Sequence, residues 1–346
     1  MPPAEGATER TAQIDPALLS PIDGWVPAEA LLDDAPIVFV DGPATPSPLL
    51  QEWLRRVPAL TVGWGAPDVG CDLWSEERSQ ALAWIEAAGR HPQVAAAAAL
   101  LLRRPPASIW DGLVAESATY SVLQAGPDFA RWLAGPRPAA GNDTGPRVQL
   151  DAAAEGRPVR VTLSRPRRHN ALDVQMRDEL VATLDELRRQ RSAAVILTGQ
   201  GPSFCSGGDL GQFGTFDDPA SAHLVRLQRS VAWCFAELGG RMVVGLHGAC
   251  LGAGIELPAF AAHVVAADDA RIGLPEAGIG LIPGAGGTVS IPRRIGPRRT
   301  LDLIVTGHQL DAGQALACGL VDEVVDRDRL DARLEEWAVR LPGARR

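Results

Sequence analysis

Two acidic side chains stand where a charge is poorly accommodated. Glu256 lies in Leu251-Gly-Ala-Gly-Ile-Glu-Leu-Pro-Ala-Phe260, and Glu276 in Leu274-Pro-Glu-Ala-Gly-Ile-Gly-Leu-Ile-Pro-Gly-Ala-Gly-Gly287. An ionised, unpaired carboxylate among apolar neighbours costs several kcal/mol, so such a residue is neutral or functional unless it simply faces solvent. By itself each acid is a candidate for a functional carboxyl and no more. Two glycine-rich loops accompany the acids. Ser203-Phe-Cys-Ser-Gly-Gly-Asp-Leu210 carries Gly207 and Gly208 side by side, and Gly252-Ala-Gly254 puts only small residues where a helix begins. Adjacent glycines let the backbone turn sharply, and a helix start presents unpaired N–H groups at the positive end of its dipole, which suits an oxyanion. A plain glycine turn, or close packing of helix on sheet, calls for the same residues. Cys205 has no histidine near it in sequence to activate it, and its small size suits packing.

These loops need strands to carry them. Val148–Leu150, Val159–Leu163, 193–198, Met242–Leu246, Val264–Ala267 and Ala270–Gly273 read as strands, several of them continuously apolar as in a sheet covered on both faces. Val174–Gln190, Ala220–Leu238 and Arg298–Val305 read as the helices between and after them, so residues 147–346 form an α/β unit with a largely parallel sheet. Both glycine loops then sit at the C-terminal ends of buried strands. Upstream, Pro36–Val40 and Ala59–Gly63 are short β-rich runs flanking a helix at Pro48–Val57, a small βαβ-like unit within residues 21–70. Residues 71–134 read as four helices, at Ser75–Ala88, Pro92–Arg104, Trp110–Leu123 and Asp128–Leu133. The Pro/Gly/Asn-rich stretch 135–146 reads as a linker, and residues 1–20 as a loose arm.

The chain has 346 residues, 46% of them apolar, enough for a sizeable core in two domains or one large one. Its net charge of −9, without a basic tract, argues against nucleic acid. The longest apolar run, Val94–Leu102, is too short to span a membrane. Five cysteines without CxxC or Cys/His spacing imply neither a disulfide framework nor a metal site, and the N-terminus shows no export signal, so a cytoplasmic protein is expected.

Taken in order, Arg165-Pro with His169-Asn-Ala-Leu172, Phe204-Cys-Ser-Gly-Gly-Asp209, Gly248 to Glu256, Pro275-Glu276, Ile282-Pro-Gly-Ala-Gly-Gly-Thr288 and Gly319-Leu-Val-Asp322 resemble the crotonase (enoyl-CoA hydratase/isomerase) superfamily. The resemblance implies a ββα spiral fold, an acyl-CoA thioester substrate, no cofactor beyond the coenzyme A that is part of it, and a homo-oligomer, trimer or hexamer. It also implies that Gly208 and Ala253 donate N–H groups to the thioester oxygen and that Glu256 and Glu276 hold a water, as in hydratases. Arg167, Ser206, Gly207, Asp209, Leu210, Gly252, Pro275 and Gly284 are the expected substrate-binding residues. Having both acids favours hydration, while isomerisation, cofactor-independent oxygenation and a non-catalytic assembly role remain alternatives.

Members of that family usually continue for several dozen residues past the Gly-Leu-Val-Asp segment, with helices that cover the acyl pocket. Here the chain ends soon after a last helix near Leu341. His91-Pro-Gln-Val with the Ala-rich run to Arg104, Gly112-Leu-Val-Ala-Glu-Ser with Tyr120 to Leu123, and Pro127-Asp-Phe with Trp132-Leu133 are similar to those terminal helices. A circular permutation is therefore expected, with the cover helices placed before the linker.

Overall fold

The computed structural model describes residues 11–14, 35–42, 46–139, 144–151, 158–190, 194–216 and 218–341. The strands form three sheets. The first joins β1 (Thr11–Ile14), β2 (Ile37–Val40), β3 (Leu60–Trp64) and β4 (Leu73–Ser75) in that order, all parallel. Helix α1 (Pro48–Arg56) links β2 to β3, begun by the Ser47 hydroxyl accepting the Leu50 N–H at 3.1 Å.

This sheet corrects two expectations. The segment expected as a loose arm contributes β1, whose four residues are too few to show a period but find backbone partners along β2. The boundary drawn at residue 70 cuts between β3 and β4 of one sheet; Leu73 is wholly buried there, and the following helix starts only at Arg78. The rest of residues 1–20, and residues 140–143 of the linker, lie outside the described residues.

Helices α2 (Arg78–Arg90) and α3 (Pro92–Leu102) pack on β3, and α4 (Ile109–Gln124) and α5 (Pro127–Leu133) follow. The second sheet has the order β13-β10-β8-β7-β6-β5. It comprises β5 (Val148–Asp151), β6 (Val159–Leu163), β7 (Val195–Gly199), β8 (Met242–Leu246), β10 (His263–Ala267) and β13 (Glu323–Val325), parallel except for the β5–β6 pair. The third is small: β9 (Ala249–Leu251) and β12 (Gln309–Asp311) flank β11 (Arg271–Gly273).

Alternate residues of the central strands enter different cores. Val195, Leu197, Val264 and Ala266 pack toward α6 (Val174–Gln190) and the site, whereas Ile196, Val243, Val265 and Ala267 face Leu330, Leu334 and Ala338 of the C-terminal helix. Both faces are covered, which is why these strands read as unbroken apolar runs. The single helix expected over Ala220–Leu238 is two, α7 (Pro219–Gln228) and α8 (Val231–Leu238). Arg229 leaves helical geometry, and the Ser230 hydroxyl accepts the Trp233 N–H at 3.1 Å, starting a new helix.

After α9 (Ala253–Glu256) come α10 (Gly287–Ser290), α11 (Pro292–Ile295), α12 (Pro297–Thr306), α13 (Ala312–Cys318) and α14 (Leu330–Ala338). The N-terminal elements are tied to this part by specific contacts. Trp84 Nε1 of α2 donates to Asp302 of α12 at 2.6 Å, and Arg298 meets Asp68 at 2.7 Å. Helix α4 lies along α7, where Ser121 Oγ donates to the Pro219 carbonyl at 2.8 Å.

Candidate active site

The two glycine loops are zipped together. Cys205 N–H donates to the Ala249 carbonyl at 3.1 Å and Leu251 N–H to the Cys205 carbonyl at 3.0 Å. A Cβ on Gly254 would lie 2.1 Å from that same carbonyl oxygen, so only glycine lets α9 sit this close to the first loop. Gly252, which caps α9, has φ 51° and ψ −122°, a conformation that suits glycine alone. Leu172 brackets Gly208: its N–H donates to the Gly207 carbonyl at 2.8 Å, and its carbonyl accepts the Asp209 N–H at 3.0 Å. The N–H groups of Gly208 and Ala253 themselves take no partner among the described residues, and both residues border one cavity of about 480 Å³.

Beneath Gly208 runs a chain of buried charges. Arg165, with 1% of its side chain exposed, lies 2.7 Å from Asp209 and 3.5 Å from Asp173, and Arg147 lies 3.1 Å from Asp173. The Arg165–Asp209 contact is an ion pair rather than an aligned hydrogen bond. Asp209 therefore borders the cavity, but its carboxylate is engaged in holding the loop.

Glu256 and Glu276 border the same cavity. Glu256, 2% exposed, accepts the Ala285 N–H at 2.7 Å and the Gly287 N–H at 2.9 Å on one oxygen. Glu276 is half-buried, with Oε1 packed against Gly252 and Oε2 shut away from solvent without a partner among the described residues. Burial pushes the Glu276 carboxyl up to about 7. Burial, and then the neighbouring charges of Glu276 and Glu116, hold Glu256 well above the usual carboxylate range. The two ionise as a linked pair, so near neutral pH one proton can be kept between them.

Gly284, expected to bind substrate, also borders the cavity; Arg167, Ser206, Gly207, Leu210, Gly252 and Pro275 do not. Arg167 is exposed, Leu210 is 37% exposed, and Gly207 and Gly252 act by shaping the loops. Cys205 is buried packing, its thiol pushed up to about 12 by burial.

The far wall was not expected as site residues. Tyr120 and Gln124 of α4 and Phe129 and Leu133 of α5 line the cavity together with Phe213, Phe216 and Arg226. The Arg226 guanidinium stands 4.6 Å from the Tyr120 ring centre. Glu116, one turn before Tyr120, is 2% exposed and accepts the Gly286 N–H at 2.7 Å, the Thr288 N–H at 2.9 Å and the Thr288 hydroxyl at 2.7 Å. Its signal was present in the sequence: Leu113, Glu116, Ser117 and Tyr120 share one helix face, an acid on an otherwise core-facing stripe.

Comparison with known proteins decides the family. The enoyl-CoA hydratase/isomerase family model matches residues 156–345, more than half of the chain. The chain belongs to the enoyl-CoA hydratase/isomerase family. Its crotonase-like fold is shared with the crystal structure of an enoyl-CoA hydratase from Thermoplasma volcanium, with 32% identity, a TM-score of 0.53, and coverage of 57% of this chain and 79% of that one. An enoyl-CoA hydratase from Bacillus anthracis is similar at 33% identity and a TM-score of 0.52, over 56% of this chain and 76% of that one. Among curated proteins, the fatty acid oxidation complex subunit alpha of Shewanella amazonensis is 38% identical over 174 residues, 48% of this chain. The match spans only about a quarter (24%) of that subunit's length. Helices α4 and α5, which supply this wall, lie with α2 and α3 outside the segment matched by the family model. Among the described residues no cluster of ligands suits a metal ion, and no helix is long and apolar enough to cross a membrane.

Proposed function

We propose that this enzyme adds water across the double bond of a 2-enoyl-CoA thioester. One observation carries the reading: two unpaired backbone N–H groups and two carboxyls of raised proton affinity border a single cavity. The N–H groups of Gly208 and Ala253 receive the thioester oxygen, where negative charge develops during addition; preorganised donors of this kind stabilise it by about 3 to 4 kcal/mol each. A water held between Glu256 and Glu276 gives one proton to the ionised carboxylate as its oxygen bonds to the β carbon. Electrons move onto the thioester oxygen as the enolate forms. The other, protonated carboxyl then delivers its proton to the α carbon, so that one water is added and the pair still holds one proton. No metal or organic cofactor enters the scheme.

The same reading takes α2 to α5 as the cover of the acyl cavity, joined to the core through residues 135–146 in a permuted order. What supports it is the position of Tyr120, Phe129 and Leu133 in the cavity wall. The chemistry is tested with crotonyl-CoA, following loss of the enoyl thioester absorbance and identifying the product. A 3-hydroxyacyl-CoA, with turnover falling about 10²-fold or more in Glu256→Gln and in Glu276→Gln, is the expected result. A shifted double bond instead of added water identifies an isomerase that uses the same pair. Undiminished turnover in both variants removes the two-glutamate mechanism.

A further inference from the structure

The turn Gly284–Thr288 is shared between two carboxylates. Its successive N–H groups alternate: Ala285 and Gly287 donate to Glu256, while Gly286 and Thr288 donate to Glu116. The Thr288 hydroxyl adds a third bond to Glu116. Four consecutive donors are thus divided between a residue of α9, inside the matched family segment, and a residue of α4, outside it. The turn cannot relax away from Glu116 without moving the donors that hold Glu256. A Cβ on Gly287 would lie 2.7 Å from Glu256 Cγ, so the two are in close contact.

We propose that Glu116 is a positioning residue of this active site, anchoring the turn that seats Glu256 and adding a third negative charge that helps the Glu256–Glu276 pair keep its proton. The proposal rests on the two-glutamate reading above. All three hydrogen bonds run toward Glu116 and favour its ionised form, but burial outweighs them and pushes its carboxyl up to about 7, so its charge is present from neutral pH upward. The charged and titratable groups facing it are Glu256 of α9, Glu276 before α10, Tyr120 of its own helix and Arg226 of α7. Arg226 is the cation of the set, and its guanidinium is bound by Ser117, Ser121 and Gln124 rather than by any of the three carboxylates. With Glu116 charged, ionising both Glu256 and Glu276 would place three anions around one turn.

The test is Glu116→Gln in the full chain, read in two ways. In the first, kcat and KM for crotonyl-CoA are measured across pH. The expected result is a fall in kcat of about tenfold or more with KM changed less than about threefold. Both limbs of the pH profile move to lower pH, because removing a negative neighbour lowers the proton affinity of the pair. The second reading needs no substrate: the infrared band of protonated carboxyl groups is titrated, and its midpoint falls in Glu116→Gln, with Glu256→Gln/Glu276→Gln assigning the band. A protein that hydrates no enoyl-CoA would overturn the proposed reaction but leave this titration to judge Glu116. A folded Glu116→Gln whose pH profile and infrared midpoint match the parent overturns the proposal, as does a change in KM alone. Should Glu116→Gln fail to fold, Thr288→Val removes one of the three bonds that tie the turn to Glu116 and is expected to lower kcat by a smaller factor with KM little changed; an unchanged kcat there overturns the proposal too.

Discussion

Replacing Arg165 with methionine removes the only cation within 4 Å of Asp209 among the described residues while keeping most of the buried volume. Arg165 is 1% exposed in its side chain and Asp209 6%, so the carboxylate left behind cannot turn to water. Asp173 retains Arg147 at 3.1 Å, whereas among the described residues the Asp209 carboxylate retains only the Gly211 N–H at 3.0 Å. Removing one partner of a buried ion pair costs about 3 to 5 kcal/mol, because the other charge stays desolvated and uncompensated. The lost bond from Arg165 to the Ala171 carbonyl adds about 1 kcal/mol. At roughly 2 °C per kcal/mol for a chain of this size, the melting temperature falls by about 8 to 12 °C. The double variant Arg165→Met/Asp209→Asn carries no orphaned charge at this point and recovers at least about half of the loss. Because Asp209 follows Gly208 directly, turnover of crotonyl-CoA in the single variant falls more than its folded fraction does. Calorimetry of the three proteins decides the matter. A loss below about 1 kcal/mol in Arg165→Met, or a double variant no more stable than the single, would refute the claim that this pair holds the loop.

Two further outcomes follow from the site. Gly254→Ala drives a methyl group to 2.1 Å from the Cys205 carbonyl oxygen, a backbone atom, and is expected to cost about 3 kcal/mol or more and abolish turnover; soluble, fully active protein at the parent's melting temperature counts against the close approach of the two loops. Glu276→Gln should stabilise the protein in a pH-dependent way. The folded carboxyl titrates at about 7 and the unfolded one near 4.5, so the folded state binds the extra proton and the parent loses stability as pH rises across that window. The variant should therefore melt higher than the parent at pH 8, with the difference shrinking toward pH 4.5; an equal difference at both pH values contradicts the buried carboxyl.

The strands of residues 147–346 were legible because both of their faces are covered, which leaves continuous apolar runs such as Met242–Leu246. The same logic hid β1 and β4, which are four and three residues long and are defined by their neighbours rather than by any pattern of their own. The break between α7 and α8 turns on one serine, which is also tolerated within a helix, so composition does not reveal it. In the site, Glu256 and Glu276 stood out as acids in apolar, glycine-rich surroundings. Glu116 carried a weaker signal, an acid on the core-facing stripe of its helix, and its role stayed hidden because its partners, Gly286 and Thr288, lie about 170 residues away. The glycine loops pointed to free backbone donors, but their assignment to Gly208 and Ala253 came only through the resemblance, since an N–H group leaves no mark in sequence beyond the small residue that exposes it.

The placement of Glu116 bears on why the helices before the linker are necessary. A cover made only of Tyr120, Phe129 and Leu133 would shape the acyl cavity and exclude water, and a different apolar surface could replace it. A carboxylate that takes three hydrogen bonds from the turn behind Glu256 cannot be replaced in that way, because without it the Gly286 and Thr288 N–H groups would be buried and unpaired at about 1 to 3 kcal/mol each. The turn would then have to find other acceptors, and the nearest carboxylate already bound to it is Glu256. On the proposed reading, loss of Glu116 therefore disturbs the seating of Glu256 rather than merely opening the cavity. On this ground helix α4 is part of the structure that seats Glu256, and the matched family segment by itself lacks one of the groups that hold this glutamate's turn in place.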